Sequence, residues 1–172
     1  MKIHMLFFST SMLLSHQAMA FDVEVDPFAY ALSGHSVHFG FGENNFRFDI
    51  GLFGADIPEA FHGNENYEQE FTGYGVKLDY LFGRYEGLFV GIEAQTSEYK
   101  YTLKSTKENT TRTQTSFGPR IGYRIMYSKN MTITPWLGID FNLEHDDIVL
   151  SGEKFESSTV SLFPTVHLGW KF

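Results

Sequence analysis

The sequence contains no cysteine, which excludes a disulfide framework, thiolate nucleophiles and cysteine-ligated metal. It also lacks an apolar run of the roughly eighteen residues that a membrane-crossing helix requires. Basic residues are scarce: 13 Lys and Arg stand against 21 Asp and Glu, for a net charge of −8. A chain this acidic is a poor partner for phosphate backbones, so no nucleic-acid role is expected. What the chain has in quantity is aromatic side chains, 17% of all residues, and 16 glycines.

Residues 1–20 read as a secretory signal peptide. Lys2 supplies the positive start, residues 5–14 (MLFFSTSMLL) form a short apolar stretch, and Ala18-Met19-Ala20 fits a small-x-small cleavage site. The expected mature domain is 21–172. Losing Lys2 with the leader takes the charge from −8 to about −9, by the count of charges in that leader.

Alternation with a period of two runs through nearly all of that domain, and no stretch reads as a long amphipathic helix. One face carries Val37, Phe39 and Phe41, then Phe46, Phe48, Ile50 and Leu52, then Tyr74 to Phe82 in steps of two. It continues through Leu88 to Ala94, Phe117 to Tyr127, Ile133 to Leu143 and Val160 to Phe172. A weaker strand, with Phe21, Val23 and Val25 alternating against Asp22 and Glu24, brings the expected number to eight. Tight turns at 42–45, 83–87 and 128–130 alternate with longer polar connections at 26–34, 55–70, 102–112 and 145–156. That is the layout of an eight-stranded antiparallel up-and-down transmembrane β-barrel, all-β, with short turns on the side of both termini.

Periodicity alone does not choose between a soluble carrier, apolar inside, and a membrane barrel, apolar outside. Volume decides. An eight-stranded barrel is only just wide enough for side chains to fill its interior. The bulky apolar face is too large for that space, whereas the other face combines polar residues with glycines. The expected interior polar network is Arg47, Asp49, Lys77, Asp79, Glu93, Arg120, Arg124, Asp140, Glu144 and Lys171, with His38 and His167 beside it. Those ten form a balanced set of acids and bases, as enclosed charges require. Tyr80, Phe82, Tyr127, Trp170 and Phe172 lie near one end of their strands, as an interfacial girdle does. Pro119, Pro135 and Pro164 fall inside strands and predict bulges or breaks in the ladder.

The closing residues 163–172 (FPTVHLGWKF) end on an aromatic residue, with alternating apolar positions before it. This resembles the C-terminal signal, here Trp170 and Phe172, that the barrel-insertion machinery reads. The domain as a whole resembles the small outer-membrane β-barrels, among them the outer membrane protein A transmembrane domain and the X- and W-type porin-like proteins. The resemblance is one of pattern, and no functional residues carry over. It implies a bacterial outer-membrane location, with lipid, lipopolysaccharide and the insertion machinery as partners and host or other extracellular surfaces as loop contacts.

Candidate chemistry is sparse. A hydrolase would need His145 or His62 beside a serine such as Ser151 or Ser157 and an orienting acid. The His-x-Ser arrangement resembling outer-membrane lipid A deacylases is absent. Asp56, Glu59, Glu65, Glu68 and Glu70 in one connection, or Asp146 with Asp147 in another, offer oxygens suited to calcium or magnesium, without calcium-loop spacing. No catalytic residue, metal or cofactor is assigned. Asn109-Thr110-Thr111 matches a glycosylation sequon that is uninformative in a bacterium. Residues 55–69 combine Ile57, Ala60 and Phe61 with acids, and Pro58 predicts a short helical turn. The leading expectation is a non-enzymatic structural or surface-contact barrel with a plugged interior. A narrow solute channel and a lipid A-modifying enzyme are the alternatives.

Overall fold

A computed structural model describes residues 20–83 and 85–172. The signal-peptide reading of 1–20 therefore falls almost wholly outside the described residues, and Ala20 is the first residue of a strand.

Eight long strands close into a barrel. They are β1 (Ala20–Val25), β2 (His35–Glu43), β3 (Phe46–Ile57), β4 (Tyr67–Gly83), β5 (Glu86–Leu103), β6 (Asn109–Met126), β7 (Met131–Asn142) and β10 (Val160–Lys171). Each pairs antiparallel with its sequence neighbour in the ring, and β1 closes against β10 through Val23↔Trp170. Closure leaves no free edge within the ring, which is what a backbone in lipid demands.

The alternation sets which way side chains point. Ile92 and Leu162 on the apolar face are 62% and 65% exposed, while Asp49 and Glu24 on the other are 0% and 2%. Glycines on the inward face make room for their neighbours. A Cβ on Gly40 would lie 2.3 Å from both the Arg47 guanidinium and the Asp22 carboxylate, and one on Gly51 would lie 2.1 Å from the His38 ring. A void that a methyl group would overfill thus becomes space for a long charged side chain.

The prolines break bonds without shifting register. Pro164 and Pro135 keep their places opposite Leu137 and Val166. Between β6 and β7, pairing lapses beside Pro119 and again beside Pro135, but Ser116↔Asn142 and Met126↔Thr132 share one register. The expected breaks occur there, and no bulge does.

The strands outrun the apolar pattern at the loop end. β4, β5 and β6 extend well past Tyr74, Ala94 and Phe117, into segments expected as loops. The connection expected at 145–156 contains a hairpin, β8 (Ile148–Leu150) and β9 (Glu153–Phe155). Its two-residue turn has Ser151 at φ 48° and Gly152 at φ 85°. Both values lie in the left-handed region that a type I′ turn uses. Two short helices complete the loop end. Pro27–Ala31 forms α1, with Asp26 accepting the Phe28 N–H at its start. Glu59–His62 forms α2, following Pro58 as expected.

Candidate functional site

Three groups of side chains line the lumen, the first two joined where Lys77 lies 4.9 Å from the Trp136 ring centroid and Arg47 lies 3.8 Å from Asp79. Nearest the termini, Arg47 Nη2 donates to Asp22 Oδ1 at 2.6 Å and to Asp49 Oδ2 at 3.0 Å. Arg124 Nη1 donates to Glu24 Oε1 at 2.7 Å, and its Nη2 lies 3.1 Å from Asp22 Oδ2. His167 Nδ1 meets Glu24 Oε2 at 3.2 Å, and His38 Nδ1 meets Asp49 Oδ1 at 3.0 Å, with the two rings 4.5 Å apart. Lys77 Nζ stands 3.6 Å from Asp49 Oδ1.

The middle layer is built around Arg120. Its guanidinium lies over the Trp136 ring and near Phe89, at 4.1 Å and 5.2 Å from the centroids. Asp79 Oδ1 is 3.4 Å from its Nε, and Glu93 Oε2 is 3.8 Å from its Nη1. Asp140 accepts from Gln95 Nε2 at 2.9 Å. Leu81 and Phe89 pack against Trp136 from the turn side.

The third layer, at the loop end, is aromatic. Phe53, Phe71, Tyr99 and Tyr101 follow one another at centroid distances of 6.2, 5.5 and 6.3 Å. The β8–β9 hairpin lays Phe155 on Tyr101 at 4.9 Å and on Tyr67 at 5.4 Å, with Ile148, Leu150 and Leu103 completing a buried cluster. Tyr67 Oη donates to the Glu153 carbonyl and accepts the Leu150 N–H, fastening the hairpin to β4.

Of the ten side chains expected inside, eight are buried there. Glu144 is not: it lies beyond the end of β7, is exposed, and accepts the Thr115 N–H at 2.6 Å. Lys171 sits at the turn-side mouth, its ammonium 3.7 Å from the Tyr85 ring centroid. The expected charge balance also needs correction. Asp22, Glu24 and Asp26 are buried with Asp49, Asp79, Glu93 and Asp140, against Arg47, Lys77, Arg120 and Arg124 among the described residues. The lumen is therefore acidic. The acids of β1 belong to the interior set, as their alternation against Phe21, Val23 and Val25 implies. Trp136 was missed because it shares the inward phase of its strand with small and polar residues.

At the loop end, exposed ion pairs join the strand extensions, the β5–β6 turn, α2 and the hairpin. Lys100 meets Glu70, Lys104 meets Glu59 at 3.1 Å, Lys107 meets Glu68 at 3.2 Å, and Lys154 meets Asp147 at 2.8 Å. Lys154 and the Ser157 N–H hold the Asp147 carboxyl below the usual carboxylate range. Burial, then the Lys104 charge, lower the His62 imidazole. The serines considered as nucleophiles bond elsewhere: Ser151 donates to Glu108 Oε2 and Ser157 to the Asp146 carbonyl. Among the described residues, no three His, Asp or Glu side chains gather as metal ligands.

No protein-family model matches the chain, and no curated protein matches it. Solved structures do. Neisserial surface protein A superposes with a TM-score of 0.54 at 11% identity, covering 90% of this chain and 96% of that one. The N-terminal β-barrel domain of Pseudomonas aeruginosa OprF gives a TM-score of 0.52 at 11% identity, covering 89% and 97%. The chain has the fold of a small outer-membrane β-barrel. At 11% identity the likeness speaks to the fold alone, so any role of this barrel must be argued from its own residues. At the turn-side mouth a cavity of about 10 Å³, lined by Asp22, Arg47, Tyr85, Arg124 and Lys171 among others, has room for about one water.

Proposed function

We propose that this is a non-enzymatic outer-membrane barrel, reached through a cleaved signal peptide, whose lumen is plugged and whose work is done by its extracellular side. It serves as a structural and surface-contact protein of the cell envelope. The observation that carries this reading is the layered lumen, where crossed ion pairs, the Arg120–Trp136 stack and the aromatic layer under the hairpin succeed one another along the axis. A solute path would have to break all three. The extracellular side has the opposite character: a tall three-stranded wall built for display, held by its own hairpin. Lipid and lipopolysaccharide surround the barrel, and the insertion machinery acts on Trp170 and Phe172 during assembly.

Planar-bilayer recording of the purified protein tests the plug, and the reading expects no stable single-channel steps. One observation favours a second reading: the excess of buried carboxylates over cations suits a narrow cation path. Reproducible cation-selective steps would establish that path in place of the plug. Lipid A mass spectra from cells with and without the protein should be identical. Deleting 146–157 should weaken attachment to host or matrix surfaces while leaving the barrel folded.

A further inference from the structure

Acids outnumber bases in the lumen, and one of them stands alone. Asp22, Glu24, Asp49, Asp79 and Glu93 each lie within ion-pair distance of an arginine. Asp26 does not, but its two oxygens accept from the Phe28 N–H and the Thr165 hydroxyl. Asp140 is 3% exposed and has no ion pair among the described residues. Its Oδ2 accepts from Gln95 Nε2, while its Oδ1 has no hydrogen-bond partner among those residues. An enclosed carboxylate without a cation or a full set of donors is costly. The cations of the middle lumen are engaged elsewhere, Arg120 with Asp79 and Glu93, and Lys77 with Asp49.

The surroundings of Asp140 have room and a definite character. On β6 the register of Ser116↔Asn142 and Arg120↔Gly138 puts Gly118, with no side chain, opposite Asp140. On β7 the next inward residue is Gly138, and a Cβ there would collide with Glu93 Oε1. That oxygen, a second one without a hydrogen-bond partner, therefore lies over the inward position beside Asp140. Phe163, opposite Gly138 on β10, points inward against Trp136 with ring centroids 5.5 Å apart, yet is 38% exposed. The lumen at this height is thus not filled. Its open space is bordered by two acceptor oxygens and an aromatic face.

We propose that this space between the Arg120–Trp136 stack and the aromatic residues under the hairpin is a binding site for a slender organic cation, a primary alkylammonium. The ammonium head donates to Asp140 Oδ1 and Glu93 Oε1, and the carbon chain lies against Phe163. Entry is from the loop end, past the aromatic residues under the hairpin. A hard metal ion fits less well, because it takes about six oxygen ligands and no three His, Asp or Glu side chains gather among the described residues. A bulky cation is excluded by the width of an eight-stranded barrel.

Trp136 reports on the site once Trp170, the other tryptophan, is replaced by phenylalanine. In that Trp170→Phe protein, folded in lipid nanodiscs with choline chloride holding the ionic strength constant, n-butylammonium chloride should change the Trp136 emission in a saturable way. n-Butanol should not, and sodium chloride should neither reproduce the change nor displace the amine. These comparisons need no lumenal variant. Asp140→Asn keeps the shape and removes the unpaired charge, so it should fold, as heat-modifiable gel migration reports, and weaken binding at least tenfold. Phe163→Ala should weaken it several-fold. No saturable change, an equal change with n-butanol, or a response untouched by Asp140→Asn would overturn the proposal. So would displacement by equimolar sodium, since the site would then belong to an inorganic cation.

Discussion

Arg120 lies over Trp136 with its guanidinium carbon 4.1 Å from the ring centroid, while Asp79 and Glu93 reach it from the side. One cation thus joins an aromatic face to two carboxylates at mid-barrel. Arg120→Met removes the charge, keeps much of the volume, leaves Glu93 without its ion-pair partner and leaves Asp79 with only the 3.8 Å contact to Arg47. It should cost about 3–5 kcal/mol, the usual penalty for halving a buried ion pair. Urea unfolding in lipid vesicles measures this, and Arg120→Lys should lose less.

Gly118 and Gly42 make a matched test of inward glycines. A Cβ on Gly118 would sit 1.7 Å from the Ile139 carbonyl oxygen, which is backbone and does not yield. On Gly42 the nearest atom would be 3.7 Å away. Gly118→Ala should destabilise the barrel by about 1–3 kcal/mol or more, in the range of overpacked cores, and Gly42→Ala should be close to neutral. Heat-modifiable gel migration ranks the two.

The lipid-facing surface predicts a depth profile. Ile92→Arg should cost about 2–4 kcal/mol, as arginine does near the bilayer midplane. Thr113→Arg, above the membrane on the same wall, should cost almost nothing. Equal costs at the two positions would place the wall outside lipid.

The hairpin carries a pH prediction. Lys154 and the Ser157 N–H hold the Asp147 carboxyl below its ordinary range, so their stabilising effect is present above the ordinary carboxylate pKa and fades as pH falls through the lowered value. Carbon-13 titration of Asp147 should show the depression, and Lys154→Gln should largely remove it. An Asp147 titration unchanged by Lys154→Gln would mean that the contact is not formed.

Much of this architecture is legible from alternation alone, because the pleat forces apolar and polar residues onto opposite faces and a narrow barrel leaves no choice about which is inside. The tops of β4, β5 and β6 were not. Above the lipid the outward residues become Thr, Glu and Lys, so the apolar signal stops although the strands continue. The alternation of Tyr99, Tyr101 and Leu103 against Glu98, Lys100 and Thr102 was the remaining clue. The β8–β9 hairpin was hidden in a segment read as polar, though Ile148 and Leu150 followed by Ser151-Gly152 carry a turn signature. The lumen charges were mostly legible. Glu144 departs from the pattern because it lies one alternation step past the end of β7, where the wall no longer constrains direction.

Site-specific labelling within the bilayer tests the central claim, that greasy side chains face lipid and charged ones fill the lumen. The absence of native cysteine makes each introduced thiol unique. Ile92→Cys and Leu162→Cys should react with a membrane-partitioned maleimide, while Thr132→Cys and Thr134→Cys should stay unlabelled in the folded protein. Labelling of the threonine positions with protection of Ile92 and Leu162 would invert the barrel and contradict the account.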